Sequence, residues 1–324
     1  MDSSIIITFA IPLFFGLILI EFFYGVITKQ NNYRINDAIT SMSLGLISRF
    51  VPILGLGFQY VVYKAVAEHY NLKLLSGEEI WVWVTAFILY DICYYWMHRI
   101  HHEIKVFWAT HVVHHHGEEF NLATALRQTS TGFLWKWVFF LPLFIIGIPP
   151  QMYVTVAGLN LVYQFWVHTE HIGRLGFLEY IFVTPSNHRV HHAQNEDYLD
   201  ANYGGVFILW DRLFGTFIDE RSDLKPVYGT VKPLKSFNPF WANIEVFYQM
   251  IFDSYHTEKF TDKIRVWFSP PNWRPEDVSM KYPIDKNDLS SFEKYDPNIS
   301  LREKIFAGAQ FTVINLMTIV MLFN

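Results

Sequence analysis

Hydrophobic and polar positions alternate along this chain in long blocks, each on the scale of a helix. The first block, Ile5 to Ile27, is apolar except for Glu21. At 1.5 Å per residue it is long enough to cross a hydrocarbon core of about 30 Å, and it is read as a transmembrane helix. A cleaved signal peptide would start with basic residues and have a shorter apolar core. Here the start is Met1-Asp2-Ser3-Ser4. The second block, Ala38 to Tyr63, holds Arg49 and Pro52, followed by Gly55 and Gly57. A charge near mid-bilayer is costly, so this block is either a broken helix pair or a helix whose Arg49 faces protein. A third block, Ile80 to Met97, is interrupted only by Asp91. Phe133 to Ile148 and Met152 to Val167 are each short for a full span. With Pro149-Pro150 between them, they read as a hairpin that dips into the membrane and returns. Ile305 to Phe323 closes the series as a terminal membrane helix.

The basic residues orient these blocks. Lys29 and Arg34 follow the first block, and Arg99 and Lys105 follow the third. Arg127, Arg174, Arg189 and Arg212 lie in later polar stretches. The positive-inside rule places all of them on the cytoplasmic side. The stretch from His168 to Glu303 then forms one cytoplasmic region. Within it Arg265, Trp267, Trp273 and Arg274 read either as a headgroup-level patch or as a solvated loop with buried tryptophans. The expected organisation is membrane helices over 1–79, a catalytic core over 80–220, a cytoplasmic or interfacial region over 221–303, and a membrane helix over 304–324. The fold class is all-α, a multi-pass membrane protein with a cytoplasmic histidine-rich region.

Composition agrees. Of 324 residues, 52% are hydrophobic and only 17% charged, against about 25% charged in average globular chains. A net charge of -5 gives no basic footprint for nucleic acid. The single cysteine, Cys93, excludes a disulfide framework and any multi-cysteine metal site.

Histidine carries the candidate chemistry. Twelve of the fourteen histidines fall between His98 and His192, under a third of the chain. They form clusters: His98, His101 and His102; His111, His114, His115 and His116; His168 and His171; His188, His191 and His192. Spacings of three and four put side chains on one helical face, so eight imidazoles, His98, His102, His111, His114, His115, His188, His191 and His192, can converge from three segments. Neutral imidazole ligates iron, copper, nickel and zinc. Eight nitrogens exceed what one ion takes up, so the set implies two. His168, at the end of the hairpin, is a candidate ninth. Asp91 lies one heptad before His98 and is a candidate acceptor for the outer N–H of a metal-bound histidine.

The pattern His98-x3-His102, His111-x2-His114-His115, His188-x2-His191-His192 resembles the fatty acid hydroxylase / sterol desaturase superfamily. The stretches Asp91-Ile-Cys-Tyr-Tyr-Trp-Met-His98-Arg, Asn121-Leu-Ala-Thr-Ala-Leu-Arg127-Gln128, Tyr163-Gln-Phe-Trp-Val-His168-Thr-Glu170, Asn202-Tyr-Gly-Gly-Val and Trp210-Asp211-Arg-Leu-Phe-Gly-Thr-Phe217 are most similar to its ether-lipid branch, the alkylglycerol monooxygenases. The resemblance covers roughly residues 30 to 275. It implies two iron ions on the eight histidines and His168, O2 as co-substrate, tetrahydrobiopterin or another electron donor such as a redox protein, and a membrane lipid whose alkyl ether bond is hydroxylated and cleaved. Arg127, Gln128, Asn202 and Tyr203 are candidate contacts for the lipid head group. Two alternatives stand beside this reading. One is hydroxylation of a sterol, a fatty acyl chain or an amino-lipid head group on the same scaffold. The other is a metal-binding membrane protein without turnover.

Overall fold

The computed structural model describes residues 3–51, 58–75 and 77–323. Among these residues the architecture is all-helical, with only two isolated β-bridges. The helices are α1 (Ser3–Ile27), α2 (Ile35–Val51), α3 (Gln59–His69), α4 (Ile80–Glu103), α5 (Lys105–Trp108), α6 (Val112–His115), α7 (Leu141–Ile146), α8 (Pro150–Trp166), α9 (Pro185–His191), α10 (Leu209–Phe214), α11 (Pro239–His256), α12 (Phe260–Phe268), α13 (Glu276–Lys281) and α14 (Leu301–Phe323). Among the described residues α4 is the one helix both long and apolar enough to cross a membrane.

The apolar blocks fold largely as their pattern predicts. The second block breaks into α2 and α3, and Arg49 is exposed rather than turned into protein. Pro52, Gly55 and Gly57 lie outside the described residues. The block from 133 to 148 is irregular: two 3-10 turns precede α7, and Gly147 closes the corner at φ 120°, where a side chain would be strained. Pro149 then stands at the N-cap of α8 and Pro150 at its first turn, where a missing N–H costs nothing.

α4 is the spine. Its buried residues include Val82, Ala86, Tyr90, Met97, His98 and His102, and it packs on α8 and the 136–140 turn. The upper apolar cluster joins Tyr90 to Phe140 (ring centroids 4.8 Å) and Tyr63 to Phe144 (4.3 Å). α1 lies against α8, with Phe14 stacked on Phe165 at 3.9 Å. The lone charge of the first block is accounted for. Buried Glu21 accepts hydrogen bonds from Leu122 N–H (2.8 Å), Thr169 Oγ1 (2.5 Å) and the Tyr33 hydroxyl. A satisfied carboxylate of this kind ties a helix to its core. Arg34 is likewise engaged, with Asp37, Glu118 and Glu119 at 2.5, 3.2 and 2.9 Å.

Candidate metal centre

Local chemistry sets up the ligand-bearing helices. α9 begins Thr184-Pro185-Ser186-Asn187, with Thr184 extended at the N-cap, Pro185 at the first helical position, and Asn187 Oδ1 accepting the Thr184 N–H at 3.0 Å. This arrangement fixes the start of a helix only seven residues long. His188, His191 and His192 follow within the next turn and a half. α6 is a single turn, with His111 just before it in a non-helical conformation.

The structure brings all nine candidate ligands together, in two groups. His98, His102, His111, His115 and His191 form one; His114, His168, His188 and His192 form the other. In each group one nitrogen per residue lies within 4.8 Å of all the rest. The one-face expectation is corrected here. Neighbouring residues on a helix differ by about 100°, so each His-His doublet splays. His115 and His191 turn to the first group, and His114 and His192 to the second. α6 and α9 thus each straddle the two groups, with His115 stacked on His192 at 4.4 Å.

The nitrogen geometry fits metal ions. An ion about 2.1 Å from each imidazole nitrogen sets ligands at right angles about 3.0 Å apart. The Nε2 separations are 3.0 Å for His98–His111, 3.3 Å for His111–His115, 3.2 Å for His114–His168, 2.9 Å for His168–His188 and 3.1 Å for His188–His192. Four outer nitrogens face backbone carbonyls. His98 Nδ1 faces Tyr203 O (2.8 Å), His114 Nδ1 faces Arg127 O (3.1 Å), His168 Nδ1 faces Gln164 O (2.8 Å) and His191 Nδ1 faces Ala201 O (2.9 Å). A carbonyl only accepts, so each of these Nδ1 atoms carries the proton and its Nε2 carries a lone pair. His114 and His168 therefore aim two lone pairs at each other across 3.2 Å, an arrangement that a cation relieves. His102 Nε2 and His191 Nε2 are buried without a hydrogen-bond partner among the described residues.

Electrostatics agree. Burial, followed by the charges of neighbouring imidazoles, holds His111, His114, His115, His188 and His192 well below the ordinary histidine range. Burial lowers His168 to about 3 and His191 to about 4. The set is neutral, the state that ligates.

The other sequence candidates are scaffold. Asp91 touches no histidine. It accepts from Asn160 Nδ2, Val206 N–H, Phe207 N–H and Trp210 Nε1, so it acts on the site through the loop that follows Tyr203. Asp211 holds the same loop, accepting Tyr203 N–H at 2.7 Å and Gly204 N–H at 2.8 Å. Gly204 and Gly205 allow this close packing: a Cβ on Gly205 would stand 2.8 Å from Asp91 Oδ1 and 2.9 Å from Tyr94. Buried Arg127 donates to Val113 O (2.8 Å), and Gln128 to Ala125 O (2.9 Å). Asn202, at φ 58°, bonds Asn187 O and both backbone polar groups of Ile218. Tyr203 sets its ring 5.3 Å from that of His102. Of these four, read from sequence as head-group contacts, Arg127, Asn202 and Tyr203 brace the ligand-bearing segments, and Gln128 bonds within its own turn. His101 donates to Met97 O and lies among Phe107 and Phe139, and His171 packs on Tyr24; with His116 they stay outside both groups.

Sequence reasoning missed the cavity beside the groups. It encloses about 800 Å³ and is floored by His102, His115, His191 and His192. Its opposite wall comes from residues 229–232, α11 and the 270–274 turn. Trp267 and Trp273 belong to that packing. Trp267 donates to Ser254 Oγ, Arg265 stacks on Trp273 at 4.4 Å, and Arg274 pairs with buried Asp253 at 2.8 Å. Both tryptophans are half-buried, while Arg265 is exposed and Trp267 stands on a helix rather than a loop, so the stretch takes something from each reading.

Comparison with known proteins agrees with this geometry. Residues 83–216 match the family model for fatty acid hydroxylase. Alkylglycerol monooxygenase of Homo sapiens is 37% identical over 312 residues, covering 96% of this chain and 67% of that protein. This chain belongs to the alkylglycerol monooxygenase branch of the fatty acid hydroxylase family. The Danio rerio enzyme of that branch is 38% identical over 93% of the chain, and the Xenopus tropicalis enzyme is 38% identical over 88%. The chain covers 68% and 63% of the length of those two relatives. No solved structure matches the chain. The family match takes in every histidine of both groups.

Proposed function

We propose that this protein is a membrane-bound di-iron monooxygenase that hydroxylates and cleaves the alkyl ether bond of alkylglycerol-type lipids. The carrying observation is the pair of lone-pair-inward histidine groups in a chain 37–38% identical to alkylglycerol monooxygenases over most of its length. The nine histidines would hold the two irons, one at the group of five and one at the group of four. When bound, iron supplies activation of O2 and insertion of one oxygen atom into a C–H bond. With a donor of two electrons, such as tetrahydrobiopterin or a redox protein, the second oxygen atom leaves as water. Hydroxylation at the carbon next to the ether oxygen gives a hemiacetal, which collapses to a fatty aldehyde and a free glycerol hydroxyl.

The chain's own residues do the rest. Carbonyls of Tyr203, Arg127, Gln164 and Ala201 fix the ligand rings. The 800 Å³ cavity admits the lipid's reacting end and brings it beside the histidines. Lys105, lowered to about 8 by burial, is among the residues that line the cavity, with its Nζ donating to Trp273 O. The multi-pass topology, with the site on the cytoplasmic face, belongs to this proposal. It is supported by the apolar helices α1, α4 and α14 and by the basic residues that follow α1 and α4.

The test feeds an alkylglycerol, tetrahydrobiopterin and O2 to membranes containing the protein and follows products by mass spectrometry. A fatty aldehyde formed only with O2 is expected. A hydroxylated sterol, acyl chain or amino-lipid in its place would move the assignment to another substrate. Metal binding without O2 consumption would remove it from the oxygenases.

A further inference from the structure

α11 inverts the ordinary pattern of a surface helix, which buries apolar residues and exposes charge. Its exposed residues are Phe240, Ile244, Tyr248, Ile251 and Tyr255, all apolar or aromatic and spaced along one face. Its two carboxylates, Glu245 and Asp253, are buried on the other face, paired with Lys232 and Arg274. α12 extends the stripe with Phe260, Ile264 and Phe268 at intervals of four, while Val266 turns inward to pack with Val106, Ala109 and Met250. Tyr255 is 79% exposed and Phe260 73%, so among the described residues nothing covers the stripe where the two helices meet.

We propose that the α11–α12 face lies on the bilayer surface, as an in-plane membrane contact separate from the apolar helices. Three observations select lipid as the occupant. First, Lys105 N–H donates to Ser269 O at 2.9 Å, which ties the end of α12 to the end of α4. α4 is the helix long enough to cross, so the stripe is held where that helix leaves the hydrocarbon. Second, the stripe carries two tyrosines and is edged by exposed Lys259 and Arg265, the composition of an interfacial helix. Third, α11 packs on α2, which also packs on α14. The exposed residues of α14 include Ile305, Phe306, Ile314 and Met317, so both neighbours of α2 carry exposed apolar residues. The inner face of α11 contributes Val246 and Gln249 to the cavity wall. A seated α11 therefore sets that wall at headgroup depth and shortens the path of a lipid from the leaflet to the histidine floor.

The test uses the full chain in phosphatidylcholine–phosphatidylglycerol vesicles with a Cys93→Ser background. Nitroxide labels are placed one at a time through Ile251→Cys, Ile264→Cys and Ser222→Cys, with Val84→Cys in α4 as the bilayer reference. Labels at 251 and 264 are expected to be more accessible to O2 than to a water-soluble nickel chelate, at a depth of about 5–10 Å below the phosphates. The label at exposed Ser222 is expected to show the opposite order. Water-like accessibility at 251 and 264, with Val84 reading as lipid, would overturn the proposal. So would shielding from both reagents with spin–spin broadening, which would mean a second copy covers the face. Unchanged metal content in the labelled proteins checks that the substitutions leave the fold intact.

Discussion

Asp91→Asn separates the two ways in which this carboxylate can serve the site. The side chain is fully buried. Oδ1 accepts from Asn160 Nδ2 and Val206 N–H, each at 2.8 Å, and Oδ2 accepts from Phe207 N–H and Trp210 Nε1, each at 2.9 Å. Asparagine keeps one oxygen and turns an NH2 group toward two donors. Hydrogen bonds to an ionised group contribute about 1.5–3 kcal/mol each, so losing two costs about 3–6 kcal/mol. At about 2 °C per kcal/mol for a chain of this size, the unfolding midpoint falls by about 6–12 °C. The loop that loosens carries the carbonyls of Ala201 and Tyr203, which orient His191 and His98. Both belong to the group of five, so that group is expected to lose metal affinity about 10–100-fold, while the group of four holds. Scanning fluorimetry in detergent reads the midpoint, and metal retained against a competing chelator reads the affinity. An unchanged midpoint with unchanged retention would refute the loop-anchor account. Equal loss from both groups would refute its confinement to one.

Gly205→Ala pushes a methyl into Asp91 and Tyr94, and is expected to cost about 1–3 kcal/mol. Its effect with Asp91→Asn should be less than additive because the two share a contact; full additivity in fluorimetry would argue against one shared node. His102→Ala removes a group member and should lower bound metal, whereas His101→Leu, one residue away among Phe107 and Phe139, should leave stoichiometry intact; elemental analysis decides. Chelator-treated protein should lose stability in acid. His191 is held at about 4 in the fold against about 6.5 when unfolded. The unfolded chain thus binds more protons within that window. Stability is whole above about pH 6.5 and falls as pH drops toward the folded value, by about 3 kcal/mol for this residue alone. A midpoint constant between about pH 7 and about pH 5 would contradict the buried neutral assignment.

Eight of the histidines were legible because their motifs place them at helical spacing, and His168 was marked by its place at the end of the hairpin and by the family resemblance. Their division into five and four was not. It depends on where two very short helices point their His-His doublets, and a helix of one or two turns takes its direction from tertiary packing. The apolar blocks announced α1, α4, α8 and α14, since length and hydropathy are local properties. The role of Asp91 was misjudged for the opposite reason: its partners are backbone groups 115 and 116 positions away, and spacing along a helix says nothing of them. The cavity escaped notice because α11 and the 229–232 segment supply part of its wall from a stretch without any motif.

Support for the ligand rings comes from main-chain carbonyls at 127, 164, 201 and 203, groups that every amino acid possesses. Those four contacts are made by the main chain, so they persist under any side chain that leaves the backbone on its path; at 127 and 203 the buried side chains also help to hold that path. A scaffold of this kind separates two kinds of change. Residues around the cavity can be exchanged to suit a different lipid while the ligands keep their aim, and the anchors at Asp91 and Asp211 decide how much exchange the loop tolerates.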